Sequence, residues 1–308
     1  MATEVHVTQN YTNKIMIITK LLGGLGNQMF QYAAGAALAS RTNSCLLLDV
    51  TTLKKYPQHQ GYQLDKIFAG DFKIASKLDL LRCLKFKYQS IARSGIEISS
   101  MNGFVNSSLL TQKTHNFDDN IMIARPPCYL SGYWQSWKYF DHIDDMIRRQ
   151  FKFKHDLSKQ NASLRDMIQS QNSVSVHVRR GDYVQNLNAN KFHGTCSIDY
   201  YVNAIDEISR RILKPSFFIF SDDPVYARKI FSERLDVTYI DHNIEMHSYL
   251  DMQLISLCKH HIIANSSFSW WGAWLSNYEA KTIIAPKVWF SGSSEIMKDI
   301  YKENWILM

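Results

Sequence analysis

Between residues 173 and 286, short apolar runs and helical stretches alternate along the chain, and this alternation restricts the fold more than any other feature. SVSVHV (173–178), FFIF (217–220), VTYI (237–240), HIIA (261–264) and KTIIAP (281–286) have the length and residue types of buried strands. Between them the pattern predicts helices over 198–212, 224–231, 248–260 and 269–277. In the first, Ile198, Tyr201, Ala204, Ile205, Ile208 and Ile212 fall near helical spacing. Strands that alternate with helices form a parallel sheet covered on both faces, because each crossover lays its helix on the sheet. The chain opens the same way, with a strand over 15–22, a break at GGLGNQ (23–28), an Ala-rich helix over 29–40 and a second strand over 45–50. The small residues of that helix predict close packing on a sheet. The expected fold class is α/β, with two Rossmann-like halves.

The middle of the chain is less regular. Residues 51–125 mix polar, basic and aromatic side chains and predict only short helices. YLSGYWQSWKYF (129–140) is dense in aromatics, and 141–153 begins as a helix. The polar stretch 154–172 marks the expected boundary, which gives a loose arm over 1–14, a first domain over 15–160 and a second over 161–308.

Composition excludes several classes. At 308 residues and 45% hydrophobic content the chain can fill one large core or two medium ones. No apolar run reaches the ~18 residues of a membrane span. The first residues lack the apolar stretch of a secretory signal, so a cytoplasmic protein is expected, with peripheral attachment at an inner membrane left open. Cys45, Cys83, Cys128, Cys196 and Cys258 are odd in number and scattered, which is neither a disulfide framework nor a zinc pattern. The net charge of +7 is spread without a basic block, so nucleic acid is not an expected partner. The N-x-[ST] triplets at Asn10, Asn106, Asn161 and Asn265 read as accidental.

In open parallel sheets, ligands bind beyond the carboxyl ends of the strands, and four such ends carry polar chemistry. GGLGNQ supplies Gly23, Gly24 and Gly26, which permit a tight turn and close backbone approach. It lacks the dinucleotide fingerprint, whose third small position would be Met29. Asn27 either caps the helix or faces a ligand, and Gln28 stands beside it. After His177 come Arg179 and Arg180, whose guanidinium forks match phosphate oxygens. Strand alternation puts His177 and Arg179 on one side and Arg180 on the other. One arginine can meet a ligand while the other pairs with protein, Asp182 being a candidate. SDD (221–223) follows the next strand. NSSFS (265–269) places Ser266, Ser267 and Ser269 at a helix start, where they either cap it or join its N–H groups in holding an anion. Trp270, Trp271 and Trp274 read as core rather than a stacking surface. Asp251, three residues after Ser248, either completes a capping box or offers a carboxylate to paired N–H donors of a ligand. No metal site emerges: SDD is not D-x-D, and the adjacent His260 and His261 point apart.

Together GGLGNQMFQYAAG (23–35), HVRRGDY (177–183), FIFSDDP (218–224) and ANSSFSWWGAWLS (264–276) resemble the bacterial and animal α-1,2-fucosyltransferase family, glycosyltransferase family 11. The resemblance runs in order along nearly the whole chain, although 51–170 carries little of it. The H-x-R-R-x-D element is shared with α-1,6- and protein O-fucosyltransferases. The resemblance implies a GT-B architecture of two Rossmann-like domains facing across a cleft. It also implies a GDP-β-L-fucose donor, inversion at the anomeric carbon, no required metal or other cofactor, and a galactose-terminated oligosaccharide acceptor. By position, Arg179 is the expected chief contact to the β-phosphate and Arg180 the second. Ser266, Ser267 and the backbone around Phe268 cradle the diphosphate, and Asp251 reads the guanine. His177 lies near the nucleoside, and Asn27 faces the fucose or the leaving group. Asp222, Asn265, Gly24 and Gly26 complete the expected donor site. Asp182 and a phosphate oxygen of the departing GDP are the candidate bases. Tyr133, Trp134 and Trp137 form either a sugar-stacking surface or a buried aromatic cluster. Another fucosyl linkage and a non-catalytic GDP-sugar-binding protein are the alternative readings.

Overall fold

The computed structural model describes residues 15–53, 60–84, 108–180, 194–232, 237–292 and 297–308. The first unit starts with β1 (Met16–Lys20), α1 (Leu25–Arg41) and β2 (Cys45–Asp49). Short helices α2 (Leu64–Ile67) and α3 (Lys77–Cys83) follow, then β3 (Leu109–Thr111), α4 (Asp119–Met122), β4 (Cys128–Ser131) and α5 (Asp144–Gln150). Its four strands lie in the order β2-β1-β4-β3, every pair parallel.

The second unit begins with α6 (Lys159–Ser170) and β5 (Asn172–Val178). It continues through α7 (Ile198–Arg211), β6 (Pro215–Ser221), α8 (Pro224–Ile230), β7 (Val237–Ile240) and α9 (Tyr249–Leu257). It closes with β8 (His260–Ile262), α10 (Ser267–Leu275), β9 (Ile283–Ala285) and β10 (Ile306–Leu307). The sheet order is β10-β9-β8-β5-β6-β7, again parallel. Counted from β5, this is the doubly wound Rossmann order, with its switch point between β5 and β8.

The strands expected from apolar runs are all present. The helix expected over 29–40 starts earlier, at Leu25, so only Leu21–Gly24 form the turn and Gly26, Asn27 and Gln28 lie in the first helical turn. The polar stretch 154–172 contains α6. It buries only Asn161 and Ile168, too little to give an apolar stripe. Strands β3, β4 and β10 had no sequence counterpart, being two to four residues long. The loose arm expected over 1–14 lies outside the described residues.

One apolar cluster joins the units. Phe30 of α1 packs at 4.6 Å from Trp270 and 5.0 Å from Trp271 of α10, and Phe140 lies 5.3 Å from Trp271. The three tryptophans of α10 are therefore core, as expected; all are buried. The tail also leans back on the first unit: Lys138 pairs with Asp299, and the Trp137 indole donates to the carbonyl of Tyr301. Among the described residues no helix is long and apolar enough to cross a membrane.

Close packing of α1 on its sheet turns on Gly35. A Cβ there would lie 2.1 Å from Thr19 Oγ1 and 2.8 Å from Leu46 Cδ1. Gly35→Val should destabilise the protein by about 1–3 kcal/mol through overpacking, read as a lower urea midpoint with an unchanged slope.

Candidate active site

The register of the second sheet assembles the first part of the site. Val178 of β5 is paired with Ser221 of β6, so the residues that follow them emerge side by side. Arg179 Nη1 sits 2.8 Å from Asp222 Oδ2, and Arg180 Nη1 sits 2.8 Å from Asp223 Oδ2. Asp222 uses its other oxygen to accept the backbone N–H of Arg180. Asp223 also caps α8 by accepting from the Tyr226 N–H, and the Arg180 guanidinium lies 4.0 Å over the Tyr226 ring. Arg180 is thus locked on three sides, whereas Arg179 stands on the side of buried His177. Burial pushes the His177 ring down to about 4, with the Arg179 charge adding to the effect and Asp222 opposing it. The imidazole is neutral at physiological pH. Its Nδ1 has no partner among the described residues. The expected Asp182 partner lies outside the described residues; the described partners are Asp222 and Asp223.

Across the switch point, β8 leads through Asn265 into α10. Asn265 is buried, and its amide donates to the carbonyls of Gly194 and Trp289, tying two loops together. Ser266 is the N-cap residue of α10, but its side chain makes no cap and the first turn holds no acid. Capping by a serine, one of the two expectations, does not occur. Among the described residues the α10 N-terminus keeps its unsatisfied donors and its partial positive charge.

The glycine turn brings a second helix N-terminus to the same place. Gly24 is the N-cap of α1, again without a side-chain cap or an acid in the first turn. Asn27 is the third residue of the helix and does not cap it. A Cβ on Gly26 would lie 2.5 Å from the Ser267 carbonyl carbon and 2.7 Å from the Phe268 nitrogen. Glycine is required because α10 is packed directly against this turn. Trp271 Nε1 fixes the contact by donating to the Gly26 carbonyl at 3.0 Å. Ser267 Oγ donates to Asn27 Oδ1 at 2.8 Å, joining the two helix starts. Gln28 is a structural anchor: its amide donates to Gly23 and Gly61 and accepts from the Gln63 N–H.

Asp251 stands apart, on the first turn of α9. The capping box does not form, since Ser248 makes no side-chain cap. Instead Asp251 Oδ1 accepts from Asn243 Nδ2 at 2.8 Å, and Asn243 is held by buried Asn161. Burial raises the Asp251 carboxyl to about 7, against the lowering effect of the Asn243 bond. Of the three aromatics, Trp134 is fully buried, and Trp137 is half-buried with Lys302 Nζ 5.0 Å over its ring. Tyr133 alone is exposed. Among the described residues no three His, Cys, Asp or Glu converge as a metal site.

Two parallel sheets, a Rossmann-order switch point and two helix N-termini in contact form the kind of place where α/β folds can take an anionic group. The model of glycosyl transferase family 11 matches residues 1–308, and the chain belongs to that family. It is a glycosyltransferase. An alpha-1,2-colitosyltransferase of Escherichia coli is 37% identical over 298 residues, covering 94% of this chain and 98% of the relative. The O-antigen biosynthesis glycosyltransferase WbnK of Escherichia coli is 31% identical over 302 residues, covering 93% and 98%. Among solved structures, NodZ alpha-1,6-fucosyltransferase soaked with GDP-fucose shares the fold, with a TM-score of 0.58 and 15% identity over 92% of this chain and 98% of that one.

Because Gly26 faces backbone rather than a flexible side chain, Gly26→Ala must push α1 and α10 apart. Its expected cost is about 1–3 kcal/mol of stability, read by urea denaturation, together with at least a tenfold loss of transfer activity. Unchanged activity would show that the two helix starts need not touch.

Proposed function

We propose that the protein is an inverting α-1,2-fucosyltransferase that moves L-fucose from GDP-β-L-fucose to the 2-hydroxyl of a terminal galactose. The observation that carries this reading is the meeting of the α1 and α10 N-termini at Gly26 and Ser267, with the Phe268 ring of α10 5.7 Å from the His177 ring at the end of β5. In the proposed step the acceptor oxygen bonds to the anomeric carbon as that carbon's bond to the β-phosphate oxygen breaks. The electron pair leaves on GDP, and the hydroxyl proton passes to Asp182 or to a phosphate oxygen. Fixed donors aimed at the leaving oxygen stabilise charge as it develops, because they need no reorganisation at the moment of reaction. Arg179, the N–H groups around Phe268 and the Asn27 amide are proposed for this role. Asp222 and Asp223 brace the arginines. We further propose that the two sheets are separate domains divided near residue 160, with the acceptor on the side of Tyr133.

Asp251 is proposed to read guanine through its N1–H and N2–H, which requires the carboxylate form. A carboxyl held near 7 makes GDP affinity rise with pH, by about tenfold between pH 6 and 8 if binding takes only the ionised form. Titration calorimetry across that range should show the rise in the wild type and a flat, weaker profile in Asp251→Asn. A flat wild-type profile would remove Asp251 from base recognition.

The whole-length similarity to a colitosyltransferase favours one second reading, in which the donor sugar is colitose, L-fucose without its 3-hydroxyl. A site built to hydrogen-bond a hydroxyl rejects the analogue lacking it by about 10⁴-fold or more. Relative kcat/KM for the two GDP-sugars with one galactoside acceptor decides between the donors, and NMR of the product reads the linkage. Arg179→Ala is expected to lower kcat/KM about 100-fold or more; turnover within a few-fold of wild type would sink the proposed role of the site.

A further inference from the structure

Asn27 Oδ1 accepts two hydrogen bonds, one from each unit: Ser267 Oγ at 2.8 Å and Gln135 Nε2 at 2.8 Å. With both donors on its oxygen, the Asn27 amide is oriented with its oxygen toward Ser267 and Gln135. The Asn27 NH₂ group is then turned away from both, and it donates to nothing among the described residues. It is a preset donor beside the two helix starts. Ser267 alone cannot enforce this orientation, because a hydroxyl serves as donor or acceptor and would suit either flip state. Gln135 turns its NH₂ group, which can only donate, toward Asn27.

The chain bears local costs to put Gln135 there. The preceding residue, Trp134, has φ +55, a left-handed conformation that a bulky aromatic rarely adopts. Its buried indole Nε1 has no partner among the described residues. The turn is held by Gln112, whose Oε1 accepts the N–H groups of Tyr133 at 2.7 Å and Trp134 at 3.1 Å, and by the Ser136 N–H bonded to the Trp134 carbonyl. Gln135 itself is buried at the carboxyl end of β4, the neighbour of β1. Strain kept at one residue and used to aim the next is the pattern of a functional turn.

We infer that Gln135 is a positioning residue for transfer, holding the Asn27 amide with its NH₂ toward the reacting groups. The inference rests on the proposed role of Asn27 as a donor to the leaving group. Gln135→Glu keeps size and shape but replaces the donor with an acceptor, so the Asn27 amide turns over and its NH₂ is spent on the new carboxylate. Gln135→Met removes the bond without reversing it.

The test measures kcat, GDP affinity and the urea midpoint for both variants, alone and combined with Asn27→Ala. Gln135→Glu should lower kcat about 100-fold, the scale of losing one oriented donor, and Gln135→Met about tenfold. GDP affinity should stay within twofold. In the Asn27→Ala background neither Gln135 replacement should lower kcat further, because its target is gone. Equal losses with and without Asn27 would overturn the inference, as would kcat within twofold of wild type in both Gln135 variants. Should Gln135→Glu fail to fold, Gln135→Met carries the same cycle. Wild-type kcat in Asn27→Ala alone would overturn the donor role of Asn27 itself, a separate result.

Discussion

The site depends on an aromatic contact that lies behind it. Trp270 and Trp271 of α10 pack on Phe30 of α1, and this packing drives two helix N-termini against each other at Gly26 and Ser267. Like helix poles repel. With roughly half a charge at each end, a few ångströms apart and an effective dielectric of about 20, the repulsion is about 1 kcal/mol. Each buried aromatic ring removes about 150–250 Å² from water, a gain of about 4–6 kcal/mol. Apolar burial therefore wins, and an unfavourable pole-to-pole arrangement is held permanently in place. An anion placed there would turn the repulsive term into an attractive one, so the proposed diphosphate binding draws on the stability of the core.

A second constraint is register. In a parallel pair the residues after aligned strand ends leave side by side, and the pairing of Val178 with Ser221 delivers Arg179 to Asp222 and Arg180 to Asp223. A slip of one residue would move every side chain of β6 to the opposite face and mismatch both pairs. The slip would also exchange two packed faces, since Val174, Val176, Phe217 and Ile219 fill one apolar cluster and Phe218 and Phe220 another. The geometry of the basic site is in this sense a by-product of the hydrophobic pattern of two strands. It also explains why SDD works as a brace, for both carboxylates are consumed within the protein before any ligand arrives.

Much of this was legible from the sequence alone. Apolar runs marked the long strands, and glycines, arginines and serines at their ends marked the candidate site, because strand-end chemistry is local in sequence. Core placement of the α10 tryptophans was also legible, from helical spacing. Interactions that span the chain were not. Asn27 meets Gln135 across 108 residues and Ser267 across 240, and no local pattern encodes such pairs. Gln135 lay unnoticed among Tyr133, Trp134 and Trp137, whose rings read either as a sugar-stacking surface or as a buried cluster. The Asn243 bond to Asp251 was hidden too, and the capping box, one of the two readings of S-x-x-D, does not form. Short strands such as β3 and β4 fall below the length at which periodicity says anything.

The two ends of the proposed donor site differ in kind. Around Arg179 the positive groups have a fixed state: guanidiniums stay protonated, and helix poles do not titrate. His177 is kept neutral by burial. Asp251 lies instead on a carboxyl that burial has brought to about 7, so its charge is present or absent within the physiological range. Such a division suits a ligand with a permanently anionic diphosphate at one end and a neutral base at the other. The phosphate end requires a field that never weakens, since the same field serves the departing charge. The base end needs only recognition, where a desolvated carboxylate gains most from paired N–H donors, because bare carboxylate in a buried pocket is costly until it is paired. Burial of Asp251 thus lowers the stability of the empty pocket's ionised form and sharpens its preference for a partner that supplies two donors at once.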